Sequence, residues 1–215
     1  VHAVRRESRD VDVVDAFVDL QQPDIADVVQ QTQGRRIVVP LTLWHDDATA
    51  REVHGLASGD ADVTVTAPIG PDWVLAELGV RRLIEAGARP TDTIVLAGGP
   101  ADSERAVRDI GKAARLLSAV WGGRVHVGTT YGGLGSPLAE AIDIARAYQR
   151  RVVVSMYALT APATVRGIGD LGADVVTGPL LAPGATDPTV VSLILARAAA
   201  RGSWVPVGRD PARGA

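Results

Sequence analysis

A chain of 215 residues, 47% of them hydrophobic, is long enough to bury a core, as one large domain or two small lobes. Its net charge of −3, with no basic patch interleaved with aromatics, excludes the footprint of a nucleic-acid binder. The absence of cysteine excludes disulfides, iron–sulfur clusters and thiolate zinc sites and suits the cytoplasm; no apolar run reaches membrane-spanning length, and residues 1–9 carry no signal-peptide pattern.

Residues 2–8 read as the end of a helix that runs straight into a first strand pattern at 11–18. Further strands are expected at 36–43, 62–67, 92–97, 124–129, 151–158 and 174–178. The central ones are almost wholly apolar, as strands covered on both faces are. Helices fall between them. Asp72 is a candidate cap for a helix whose apolar stripe is Trp73, Ala76, Val80, Leu83 and Ile84, with Gly87 just past its end. Ser103 or Asp102 caps the next, with Ala106, Val107, Ile110, Ala114, Leu117 and Trp121 inward and Gly122 as stop. Ser136-Pro137 and Asp187-Pro188 place proline at two further helix starts. Alternating strands and helices of this kind define an α/β protein with parallel sheets.

The sequence repeats itself at an offset of roughly 112 to 115 residues. Arg35-Arg36-Ile37-Val38-Val39 returns as Arg150-Arg151-Val152-Val153-Val154, Ala61-Asp62-Val63 as Ala173-Asp174-Val175, and Pro23 as Pro137. The repeat predicts two related lobes: an incomplete one at 1–88, a second at 89–204, and a tail at 205–215. The counterpart of strand 92–97 falls upstream of Val1, so the first lobe is expected to lack its first strand. An exposed edge or groove at that place invites pairing, and a homodimer is one expected outcome.

Ligands of open parallel sheets bind beyond the carboxyl ends of the strands. One such loop stands out. His45-Asp46-Asp47 follows a strand directly, with Glu52 and His54 in the next helical stretch. An imidazole with carboxylates suits a borderline divalent metal or a proton relay near neutral pH. On that reading His45 and Glu52 are catalytic, and His45 and Asp47 bind metal. The alternative is that Asp46 or Asp47 merely caps the helix and His45 is solvated. Both stand at this point. His126, alternating with valines, reads as a satisfied structural imidazole, and His2 as exposed. Tyr131, Gly132 and Gly133 lead into a helix N-terminus fit for a carboxylate or phosphate. Trp44, Tyr131 and Tyr157 offer stacking surface near strand ends, or packing only.

Several segments together resemble the sirohydrochlorin chelatase family, the class II (CbiX-like) chelatases. They are Ala16-Phe17-Val18-Asp19-Leu20 followed by Pro23, Arg36-Ile37-Val38-Val39-Pro40-Leu41, Ala67-Pro68-Ile69-Gly70-Pro71-Asp72 and Leu83-Ile84-Glu85-Ala86-Gly87. Thr93-Ile94-Val95-Leu96-Ala97 and Gly172-Ala173-Asp174-Val175-Val176 complete the likeness. The resemblance implies two α/β lobes about a cleft. It implies insertion of Co²⁺, Fe²⁺ or Ni²⁺ into an anionic tetrapyrrole and no permanently bound cofactor; Trp44, Tyr131, Gly132, Gly133 and Tyr157, placed near strand ends, are the expected substrate contacts. The metal is a substrate. The chain departs from the family where its histidines belong: Ala48 and Val165 stand at two such positions, and the loop of the first strand is missing. The family's activity, or a non-catalytic tetrapyrrole- or metal-binding role, follows from the resemblance, with binding expected to exceed metallation.

Overall fold

A computed structural model describes residues 1–8, 11–18, 21–130, 133–160 and 167–200. Seven α-helices are present among them: α1 (His2–Glu7), α2 (Ile25–Gln31), α3 (Asp47–Gly59), α4 (Trp73–Glu85), α5 (Glu104–Trp121), α6 (Leu138–Arg146) and α7 (Pro188–Ala199). The strands are β1 (Arg36–Val38), β2 (Val63–Val65), β3 (Thr93–Gly98), β4 (Val125–Thr129), β5 (Val152–Met156) and β6 (Val175–Val176). They form two sheets, β1-β2 and β4-β3-β5-β6, and every pairing is parallel. None of these helices is long and apolar enough to cross a membrane.

The larger sheet shows why its strands are apolar on both sides. Ile94 and Leu96 of β3 face a layer made by Leu75, Leu78, Ile110 and Leu117 of α4 and α5. Val95 and Ala97 face the opposite way, onto Leu138, Ala141 and Ile142 of α6. Alternation at period two thus feeds two cores at once, and every residue of β3 and β5 is buried. Each fully buried Ile, Leu or Val side chain contributes about 1.5–3 kcal/mol. The smaller sheet is covered differently. Val38, Val63 and Val65 join Ile25, Val29 and Val53 of α2 and α3, whereas Ile37, pointing the other way, is 40% exposed.

The same backbone devices recur in both halves. Thr66 N–H donates to Val38 O and Thr177 N–H to Val154 O. Both threonines are buried, and each hydroxyl donates to the carbonyl of the next residue, at 2.9 Å in either case. Phe17 N–H donates to Pro23 O as Thr129 N–H does to Ser136 O. The expected strand at 11–18 nevertheless does not form. It makes one bridge, Phe17 to Asp24, while its counterpart β4 has β3 alongside from Ile94–Val125 to Gly98–Thr129. Among the described residues nothing plays the part of β3 in the first half, so no ladder holds residues 11–18 extended, and Val11 and Val14 are exposed. The strand expected at 36–43 likewise ends at Val38, and residues 39–46 form an irregular crossing loop.

The last helix of each half serves the other half. α4 packs on α5 and β5, and α7 packs on α1, where Val191 joins Ala3 and Val4. The two exchanged helices also contact each other. Asp72 caps α4 and receives Arg197 of α7 at 2.9 Å; Asp187 caps α7 and receives Arg81 of α4 at 2.7 Å. An arginine late in each helix meeting the first turn of the other requires the pair to run antiparallel. Two sequence expectations for α4 fail here. Trp73 and Ile84 are 48% and 63% exposed, because the buried stripe runs through Leu75, Ala76, Leu78, Gly79 and Leu83. Trp73 instead donates its indole N–H to Glu77.

Burial alone would raise the Asp187 carboxyl, but hydrogen bonds from Thr189 and the Arg81 guanidinium hold it below its ordinary range. A carboxyl lowered in the native state stabilises the fold above its unfolded value, about pH 4, and that contribution fades as pH falls through the lowered native value. Asp187→Ala is expected to destabilise the protein by about 1–2 kcal/mol at pH 7, the usual effect of losing a helix cap. It should also weaken the acid dependence of stability below about pH 4. Urea denaturation of both proteins across pH 3–7 checks both effects.

Candidate functional site

The crossing loop 39–46 leaves the carboxyl end of β1, enters α3 and lies between the two halves. Asp46 caps α3, its Oδ1 accepting the Thr49 N–H at 2.7 Å. That half of the structural reading of this loop holds. The other half does not: the His45 side chain is only 12% exposed, and its Nε2 lies 2.8 Å from Asp47 Oδ1. His45 is a packed, carboxylate-paired imidazole. Beside it, Thr42, Thr49, Val53, Thr66 and Pro68 line a shallow recess.

Helix geometry sorts the remaining candidates. Glu52 lies five residues after Asp47, about 140° round the helix, and does not line the recess. His54 lies seven residues after Asp47, about 20° from it, and so shares its face. Burial, then repulsion from His45, lowers the His54 imidazole below its ordinary value. The structure therefore pairs His45 with Asp47, brings His54 close enough to His45 to feel its charge, and places Glu52 on another face of α3. Among the described residues no group of three or more His, Cys, Asp or Glu side chains is placed to hold a metal ion.

The aromatic candidates sit behind this loop. Trp44 and Tyr157 have ring centroids 6.2 Å apart, tilted by 36°. Tyr157 is 5% exposed and donates its hydroxyl to Leu43 O at 3.1 Å. Burial, with Asp109 and Asp72 nearby, pushes its phenol well above the ordinary range, so it remains a donor at any physiological pH. Gly99 lies under Trp44: a Cβ there would come within 2.5 Å of the indole ring. The His45 N–H donates to Asp109 Oδ2 at 3.0 Å. Asp109 belongs to α5, 64 residues away, and nothing local in the sequence announces it.

Tyr131 and Gly132 lie outside the described residues, as does Val165. Gly133 has φ +93° and bridges to Ala101, whose carbonyl oxygen a Cβ would approach to 2.5 Å. Its place ties the loop after β4 to the loop after β3, and a side chain there would break the contact. His2 is exposed, as expected. His126 departs from expectation. Its ring lies 5.5 Å from that of Tyr148, but its buried Nε2 has no hydrogen-bond partner among the described residues. Burial, then Arg124, lowers its pKa, which keeps it neutral.

Parallel sheets flanked by helices, in two related lobes, give this chain the chelatase-like α/β fold. Solved structures with this fold include SirB from Bacillus subtilis with Fe³⁺, at a TM-score of 0.66 and 20% identity over 91% of this chain and 86% of that one. The sirohydrochlorin chelatase SirB from Bacillus subtilis subspecies spizizenii in complex with cobalt has a TM-score of 0.63 and 18% identity over 92% of this chain and 86% of that one. A multi-domain protein from Deinococcus radiodurans, structurally similar to chelatases and with two additional domains, has a TM-score of 0.59 and 18% identity over 83% of this chain and 44% of its own. No protein-family model and no curated protein matches the chain.

The Trp44–Gly99 contact generates a test of the junction. Gly99→Ala is expected to push the indole off Tyr157, lowering stability by about 1–3 kcal/mol as an overpacked site does. Thermal unfolding, and the change in tryptophan emission measured against a Trp44→Phe background, check it. Unchanged emission in Gly99→Ala would show that the ring does not rest on Gly99.

Proposed function

We propose that this chain is a chelatase-like protein of tetrapyrrole metabolism. It binds an anionic tetrapyrrole, sirohydrochlorin in the first instance, and delivers a divalent metal to it from His45 and Asp47. The observation that carries this reading is the fold shared over 91% of the chain with SirB with Fe³⁺ and over 92% with SirB in complex with cobalt. The site supports it chemically. Metal insertion requires an ion held with open coordination positions and two pyrrole protons removed. A histidine and a carboxylate 2.8 Å apart supply two donors of the kind that Co²⁺, Fe²⁺ and Ni²⁺ accept. The macrocycle's nitrogens then complete the coordination as each pyrrole proton passes to imidazole, carboxylate or solvent. A closed four-ligand protein site would retain the ion, whereas a two-donor site releases it. Glu52, displaced around α3, has a lesser part in this reading than His45.

Incubation with Co²⁺ and sirohydrochlorin, followed by absorbance for insertion and by fluorescence quenching for binding, tests the proposal. His45→Ala is expected to slow insertion by about a hundredfold while leaving quenching nearly intact. Insertion by His45→Ala at the wild-type rate removes His45 from the reaction. Quenching without insertion by the wild-type chain makes the protein a carrier, and failure to bind any tetrapyrrole overturns the reading altogether.

A further inference from the structure

We infer that Asp109, on the second half of the chain, is a positioning residue for His45; as a statement about metal delivery, this rests on the function proposed above. The metal candidates His45 and Asp47 belong to the first half, but the loop carrying His45 is fastened to the second by three contacts in consecutive residues. Leu43 O accepts the Tyr157 hydroxyl at 3.1 Å, Trp44 lies on Gly99, and His45 N–H donates to Asp109 Oδ2 at 3.0 Å. The last acts on the backbone of the histidine itself. A charged acceptor makes a stronger hydrogen bond than a neutral one, and this contact sets where the imidazole leaves the main chain relative to Asp47. Tyr157, buried and held protonated, secures the residue two before it. The site is thus aimed by side chains that do not touch the metal, the role that outer-shell partners play for metal ligands.

Three variants of the full chain test this: Asp109→Ala, Asp109→Asn and Tyr157→Phe. The readouts are Co²⁺ titration by visible absorbance, and the ¹H–¹⁵N imidazole resonances of His45 at fixed pH without metal. Asp109→Ala is expected to weaken Co²⁺ binding by roughly tenfold and to shift or broaden the His45 resonances. Asp109→Asn, whose amide oxygen accepts the same N–H, should restore both. Tyr157→Phe, which keeps the ring on Trp44, should move both in the direction of Asp109→Ala. Wild-type Co²⁺ affinity together with unchanged His45 resonances in Asp109→Ala would overturn the inference. If the wild-type chain takes up no Co²⁺, the chelatase reading falls. The metal-free resonances still decide whether Asp109 positions His45: displacement supports it, and constancy overturns it.

Discussion

The fold depends on two helix caps that each serve twice. Asp72 and Asp187 each accept one first-turn N–H of their own helix, from Val74 and Thr189, and each also takes the guanidinium of the other helix's late arginine. A carboxylate at a helix N-terminus is already favoured by the helix dipole. Bringing an arginine to it gives the antiparallel pair a register as well as an attraction. Because α4 and α7 are the closing helices of their halves, this pair locks the halves together. The larger sheet is not covered by its own half alone. The face of β3 and β5 that carries Ile94, Leu96 and Val153 is closed by α4, which comes from the other half.

That exchange places the candidate loop. With α4 committed to the second half, the loop from β1 to α3 is drawn over the same boundary, and its residues take partners from both sides. His45 pairs with Asp47 one way and with Asp109 the other. The recess beside it is lined by threonines and apolar side chains in addition to His45 and Asp46. On the function proposed above, two donors would leave most of an ion's coordination sphere open, which suits a metal in transit better than a metal in residence.

The caps and the central strands were legible because their chemistry is local. Asp72, Ser103 and Asp187-Pro188 mark helix starts that the structure reproduces, and the all-apolar runs at β3 and β5 are buried strands. The failures share one cause: the deciding partner lies far away in sequence or is not found among the described residues. Residues 11–18 have the composition of a strand and, among the described residues, no strand beside them. Trp73 and Ile84 fit a plausible helical stripe, but the surface that α4 covers belongs to the second half and selects a different face. The His45 loop was legible as a helix-capping turn and a candidate site, and not as an anchored loop. Its capping carboxylate is next to it, whereas Asp109 and Tyr157 arrive from 64 and 114 residues away.

The helix exchange also orders events as the chain is made. Arg81 and Asp187 are 106 residues apart, and Arg197 and Asp72 are 125 apart. At about 5–20 residues per second, α4 emerges from a ribosome several seconds or more before α7 exists. Meanwhile the apolar faces of Ala3 and Val4 stand without the Val191 that covers them in the finished molecule. Closing loops of this length carries an entropic cost that no local contact offsets. The apolar face of α1 is therefore uncovered in the nascent first half until α7 arrives.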